Sequence, residues 1–314
     1  MGDVKKGALA LISASVIWGI APLYFKQLVH IDPVELLSHR ILWSLVFFVA
    51  LLGAQKRLGE IPAVFDNRRM IFLTWLAAVF ITINWFLFIW AIQVDRAVQA
   101  SLGYYIFPLF AVVLGRVVYA ERLTRLKWVA VSMAAIAVVI LTVGLGEPPW
   151  ISLILASTFG LYGLLKKSST SGPVVSVVSE VLLLAPMALI WLWGVHWSGW
   201  QGLSGHAGGY FGGTLHDTVL LMLAGPITAA PLILFSYGAK RLTMASVGLI
   251  QYVNPTLQFA VAVLIFREPI GGYHAVAFGL IWLALAIYSG QALLAERAVD
   301  KASTSDGTSE NTVT

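Results

Sequence analysis

The sequence predicts an all-α integral membrane protein of ten transmembrane helices, arranged as two inverted five-helix repeats. Three observations predict it. Hydrophobic residues make up 59% of the 314-residue chain and charged residues 11%, against about 45–50% and about 25% in soluble domains. The apolar residues fall into ten runs, each near the roughly 20 residues an α-helix needs to cross a ~30 Å hydrocarbon core. A shift of 147 residues lays the last three runs of the first half on those of the second. A soluble fold so poor in charge could not cover its surface, and the same composition excludes disorder. With no cysteine, a disulfide-stapled scaffold is excluded as well. The formal net charge of +5 sits in short basic clusters between apolar runs, a membrane pattern rather than a nucleic-acid-binding one.

The runs lie near 7–29, 34–54, 70–92, 97–120 and 126–144, then 149–165, 174–194, 217–239, 244–266 and 271–294. Lys5 and Lys6 before the first run suggest a signal peptide, but the run continues past Trp18-Gly19 to Phe25. That is longer than a signal h-region, so it is read as the first span. Met1-Gly2-Asp3-Val4-Lys5-Lys6 lacks the Ser/Thr of a myristoylation site. The second run contains Glu35, His39 and Arg40, and the third follows Arg68-Arg69. Pro108 in the fourth and Pro255 in the ninth would end soluble helices, whereas bundled membrane helices tolerate them. Arg125 and Lys127 open the fifth, Lys166-Lys167 close the sixth, Glu180 lies within the seventh, and Lys240-Arg241 follow the eighth. The tenth runs into a tail at 295–314, Ser/Thr-rich from Ser303, which is expected to be disordered and cytoplasmic. None of the runs alternates as an outer-membrane strand would.

Basic residues set the orientation. With a cytoplasmic N-terminus, the tails and even-numbered connections hold fifteen of the 20 Lys and Arg, and the opposite side holds only Lys26, Arg96 and Arg267. Arg40 and Arg116 lie inside spans. The positive-inside rule then puts both termini in the cytoplasm.

At the 147-residue shift Pro108 falls on Pro255, Tyr105 on Tyr252, Glu121 on Glu268, Phe88 on Phe235 and Trp90 on Tyr237. At nearby offsets Trp18-Gly19 falls on Phe159-Gly160, Lys26 on Lys167 and Glu35 on Glu180. The expected units are 7–144 and 149–294. An odd number of helices per unit forces the second to be inverted, a construction that lets a midplane site open to one side and then the other.

Charges inside a span cost about 2.5–3.5 kcal/mol on insertion scales, so they face a cavity or a partner. Glu35 and His39, four residues apart, share a helix face, with Arg40 one residue further round. Arg40 and His39 either bind a charged group of a solute or tie helices together. Glu35 lies close enough to the interface to be solvated, and Glu180 is its counterpart at the other face. Both are read as gate or coupling candidates or as symmetric anchors. Gln251, Asn254 and Gln258 place three amides on one face of the ninth span, and Ser101, Tyr104 and Pro108 repeat the rhythm in the fourth. Pro108 and Pro255 free carbonyls at matched depths and are hinge candidates. Asn84, Trp85 and Gln99 add further polar groups. Singly, each fits an interhelical hydrogen bond worth about 0.6 kcal/mol; together they are read as a substrate path.

Trp18, Trp43, Trp128, Trp150, Trp197 and Trp200 near span ends are read as interfacial anchors. Glu121-Arg122 and Arg267-Glu268 are expected to be solvated pairs. An intramembrane enzyme is disfavoured by the absence of His-Glu-x-x-His, of a P-loop and of paired aspartates within spans. Gly202-Leu203-Ser204-Gly205-His206 sits in a Gly-rich loop at about 195–216 and is read as linker. No cofactor or metal is expected; the expected partners are a small-molecule substrate and the lipid bilayer, without nucleic acid. A channel or facilitator-type pore is the harder rival, although no pore-loop filter is present.

Several stretches resemble RarD-type members of the EamA permeases, in the drug/metabolite transporter superfamily. They are Trp18-Gly19-Ile20-Ala21-Pro22-Leu23-Tyr24-Phe25-Lys26, Glu35-Leu36-Leu37-Ser38-His39-Arg40-Ile41-Leu42-Trp43-Ser44, Asn84-Trp85-Phe86-Leu87-Phe88-Ile89-Trp90-Ala91, Ala100-Ser101-Leu102-Gly103-Tyr104 and Gln251-Tyr252-Val253-Asn254-Pro255-Thr256. The resemblance covers about 7–294. It implies two inverted five-helix EamA repeats in a bacterial inner membrane, and a secondary transporter exporting a small polar or amphipathic metabolite or drug by alternating access. Chloramphenicol appears in the labels of such proteins and is not thereby a substrate. Relatives carry Glu where Gln99 stands and Asn where Phe107 stands. Proton coupling through position 99 is therefore ruled out, leaving His39, Glu35 or Glu180 to carry any proton.

Overall fold

The computed structural model describes residues 3–120, 123–167, 172–203, 208–242 and 244–309. The described residues are built from α-helices: α1 (Asp3–Lys26), α2 (Pro33–Ala54), α3 (Arg68–Gln93), α4 (Ala97–Tyr119), α5 (Arg125–Leu145), α6 (Trp150–Lys167), α7 (Pro173–Trp197) and α8 (Leu215–Ala239). They continue with α9 (Met244–Gln251), α10 (Val253–Ala260) and α11 (Gly272–Ser309). Eight of them are long and apolar enough to cross a membrane: α1 to α5, α7, α8 and α11. α6 and the stretch Leu249–Ile265 are shorter apolar helices. Each predicted apolar run falls mostly on helix, the ninth with an interruption.

Short polar residues start these helices for local reasons. The Asp32 carboxylate accepts the Val34 N–H at 2.9 Å and Pro33 opens α2, supplying an acceptor for one orphan donor and a preset φ. Asn67 and Thr124 cap α3 and α5 in the same way. At α8, Thr214 accepts the Asp217 N–H at 3.0 Å while its hydroxyl donates back to the Asp217 carboxylate at 2.9 Å. α4 has no cap of its own. Glu268, from the loop before α11, accepts the N–H groups of Ala97 and Val98 at 2.6 and 2.8 Å. Arg267-Glu268 is therefore not a solvated pair: Glu268 is buried and closes the first turn of α4. Glu121-Arg122 lies outside the described residues, as do Ser204, Gly205 and His206.

The ninth run is not one continuous helix. It breaks at Tyr252, because Pro255 has no N–H to give the Gln251 carbonyl and its ring clashes there. Beyond α10 the chain widens into a π-turn over Val261–Ile265, with the Phe266 N–H on the Val261 carbonyl at 3.0 Å. The turn ends at Arg267, whose φ is +57°; α4 ends at Ala120 with φ +52°, 147 positions earlier. Pro108 is absorbed in α4 without a break. The backbone of α11 stays helical to Ser309, past the expected limit at 294. Ala295, Glu296, Arg297 and Ala298 are strong helix formers that propagate a helix already nucleated in the apolar run.

α2 packs between α7 and α8, α1 against α8 and α10, α3 and α4 against α6, and α5 against α11. Gly19 lets α1 approach α10, since a Cβ there would meet the Leu257 Cβ at 2.6 Å. Large apolar side chains point outward, among them Val117, Val143, Met187 and Leu264, each at least 70% exposed. Such an apolar exterior is stable only against lipid.

Candidate functional site

Arg40, about two turns into α2, is 7% exposed. Its guanidinium lies 4.3 Å from the Trp85 ring centroid and 5.5 Å from that of Phe25. Among the described residues no carboxylate pairs with it, and its Nε is buried without a partner. The phenols of Tyr24 and Tyr104 lie in the same neighbourhood. Two cation–π contacts recover about 2 kcal/mol or somewhat more, while desolvating such an ion costs several. The two rings therefore offset part of the cost of burying this charge, and its Nε is left without an acceptor.

Asn84 is buried next to Trp85 in sequence and holds Tyr104 in place. Its Nδ2 donates to the Leu155 carbonyl at 3.0 Å and to Thr158 Oγ1 at 3.1 Å, and its Oδ1 accepts the Tyr104 hydroxyl at 2.9 Å. Tyr24 is anchored by a 2.7 Å bond to the Leu220 carbonyl. From Arg40 a file of rings runs through Phe25, Phe88, Tyr104, Phe159 and Tyr162, successive centroids 5.7–6.0 Å apart. It ends at Glu180.

Glu180 is buried, accepting from Lys166 Nζ at 2.6 Å, the Tyr162 hydroxyl at 3.1 Å and Ser176 Oγ at 3.2 Å. A cavity of about 10 Å³ beside Lys166, Ser176 and Glu180 has room for about one water. A larger one, about 130 Å³, lies between α4 and α5 and is lined by Ile106, Leu109, Val131 and Val138 among others. It offers no polar side chain to orient a solute and is not lined by Arg40.

Glu35 is 0% exposed rather than solvated, because the chain after α7 folds over it. Gly209 and Tyr210 donate their N–H groups to its two oxygens at 3.1 and 2.8 Å. Gly209 has φ +94°, open to glycine at little cost. His39 does not join Arg40: it stacks on Phe211, centroids 5.0 Å apart, on the Glu35 side of α2.

The amide stripe is divided by the helix break. Gln251 ends α9, half-buried, while Gln258 Nε2 in α10 donates to Asn254 Oδ1 at 2.8 Å and weakly to the Trp18 carbonyl at 3.4 Å. Gln258 Oε1 is buried and unpartnered, as is Gln99 Oε1. α1 links the two groups, with Trp18 beside Gln258 and Phe25 beside Arg40. Two turns separate them, about 10 Å along the helix. Sequence reasoning missed Phe25, Phe88, Phe159, Lys166 and His196, since rings at helical spacing and span-end cations look like ordinary packing and interface residues.

A buried, partly unsatisfied polar set inside an apolar bundle defines a multi-pass membrane protein. Residues 5–143 match the EamA-like transporter family. The chain is 40% identical to Protein RarD of Streptomyces exfoliatus, over 94% of this chain and 91% of that one. It is 39% identical to the uncharacterized transporter YojE of Bacillus subtilis, over 91% and 94%, and 37% identical to Protein RarD of Salmonella typhimurium, over 94% and 98%. One solved crystal structure superimposes with a TM-score of 0.58 at 17% identity, covering 90% of this chain and 96% of the other, which shows a shared fold. The chain belongs to the EamA-like transporter family, as a RarD-type permease.

Proposed function

We propose that the chain is a secondary carrier exporting a small polar or amphipathic metabolite that bears an anionic group, amino-acid-like or drug-like, across the bacterial inner membrane by alternating access. The carrying observation is Arg40: a buried guanidinium held against Trp85 and Phe25 with no carboxylate partner among the described residues. Tyr104, positioned by Asn84, and the amides of Gln251, Asn254 and Gln258 complete the path. Glu35 and Glu180 flank its two mouths, and His39 belongs with Glu35.

The working parts in this reading are two inverted five-helix units, 7–144 and 149–294, with both termini cytoplasmic and hinges at Pro108 and Pro255. The packing supports it. A pseudo-twofold that exchanges the units maps α1 with α8 onto α6 with α3, and α1 with α10 onto α6 with α4, all of which are packed pairs. Gly19 and Gly160 occupy equivalent close approaches, to Leu257 and to Phe110. The test is transport by purified protein in proteoliposomes, with the driving solute taken from a thermal-shift screen of amino acids and organic acids. Saturable flux with counterflow is expected, lost in Arg40→Ala and weakened in Gln251→Ala. Unchanged transport by both variants removes the assigned site, and flux that neither saturates nor shows counterflow would indicate a channel.

A further inference from the structure

Glu35, His39 and His196 each present one ligating atom, and these atoms all lie within 4.8 Å of one another. The three come from places that the sequence does not associate: the first two turns of α2 and the last turn of α7. Glu35 and His39 are nearly inaccessible, and His39 Nε2 is buried with no hydrogen-bond partner. A buried imidazole nitrogen left unpaired costs about 1–3 kcal/mol, and none of the recorded contacts of Arg40 uses it.

We propose that Glu35, His39 and His196 form a binding site for one divalent transition-metal ion of the zinc class. Two imidazoles and a carboxylate are the donor set that suits Zn²⁺ and disfavours Mg²⁺ or Ca²⁺, which take oxygen ligands. Three protein ligands leave a fourth position for water or for the second Glu35 oxygen. Groups outside the ligand set already hold it in shape. The Gly209 and Tyr210 amides fix the carboxylate at 3.1 and 2.8 Å, and Phe211 stacks on His39 and sets its ring plane. Such support orients ligands and is worth roughly 10–100-fold in affinity.

Tetrahedral zinc ligands sit about 3.3 Å apart, so loading draws the three donors together. His196 is the half-buried member and has the room to swing inward. The ion would clamp α2 to α7, two helices that pack along each other. A nearby group, His30, His216 and Asp217, is already satisfied: both imidazoles bond the Asp217 carboxylate, at 3.1 and 3.3 Å. It provides the control.

The experiment uses the full chain, purified in detergent without a histidine tag and stripped with chelator, then titrated with ZnCl₂ by calorimetry and thermal unfolding. One equivalent is expected to bind and raise Tm, while MgCl₂ does neither. His196→Ala, which leaves no buried hole, is expected to weaken Zn²⁺ binding at least tenfold. His216→Ala is expected to bind like the wild type. Co²⁺ loading gives an independent reading in the wild type, where a low-coordinate nitrogen–oxygen ligand-field spectrum is expected. The proposal is overturned if the wild type shows no saturable Zn²⁺ binding, if His196→Ala binds as the wild type does, if His216→Ala is the variant that loses binding, or if Co²⁺ remains six-coordinate.

Discussion

Arg40 is an unfavourable group to place where it is. A methionine of similar length would fill the space between Trp85 and Phe25 without desolvating a charge, and replacing buried ions by apolar side chains is often neutral or stabilising. Arg40→Met is therefore expected to leave Tm unchanged or raised while transport falls at least tenfold. A residue kept for packing would show the opposite: lower Tm and no selective loss of flux. Thermal unfolding and proteoliposome flux on one preparation measure both. Arg40 was legible in the sequence, as a charge inside a span, and so was the neighbouring pair Asn84-Trp85. Its separation from His39 was not. Adjacent residues on a helix point about 100° apart, so Arg40 faces Trp85 while His39 faces Phe211. Only the fold shows what stands in each direction.

At the scale of elements, α4 borrows its cap from Glu268, and Glu268→Ala strands two buried N–H groups. A loss of about 1–3 kcal/mol is expected, read by chemical or thermal unfolding. Burial pushes the Glu268 carboxyl above its usual range, against the pull of the Val98 and Ala97 amides, with Asp95 adding to the rise and Lys26 opposing it. The folded state then holds the proton more tightly than the unfolded one. Stability attributable to this group is accordingly greatest below the unfolded pKa of 4.5 and declines as pH rises towards the folded value. The wild type is expected to lose stability relative to Glu268→Gln across that window, then to level off. A wild type that gains stability over Glu268→Gln as pH rises would contradict the assignment.

Pro255 makes the second element-scale prediction. Pro255→Ala restores a donor for the Gln251 carbonyl, so α9 and α10 are expected to join. Amide exchange at 251–256 should slow, and transport should slow with it if the break is a hinge. Helix positions were readable because about 20 apolar residues in a row leave little choice in a membrane. The break at Tyr252 was readable in principle from Pro255, but Pro108 at the matching position leaves α4 intact, so proline alone does not decide it. The Glu268 cap was invisible, because its partners are 170 and 171 residues away.

At the scale of the whole molecule, the account has two antiparallel halves sharing one polar path, with termini on one face. Reporter fusions at residues 1 and 314 are expected to place both ends in the cytoplasm; opposite faces would remove the inversion. The 147-residue shift is what suggested a duplication, while the packing of α1 with α8 and of α6 with α3 could be seen only in the fold. The most direct measurement of the central claim compares matched solutes. Small carboxylic acids and amino acids are set against their uncharged amides, by thermal shift on the wild type and Arg40→Met and by counterflow in proteoliposomes. The account predicts that a carboxylate member stabilises and is carried by the wild type alone and that its amide does neither. Equal binding of acid and amide, or an undiminished response in Arg40→Met, would contradict it.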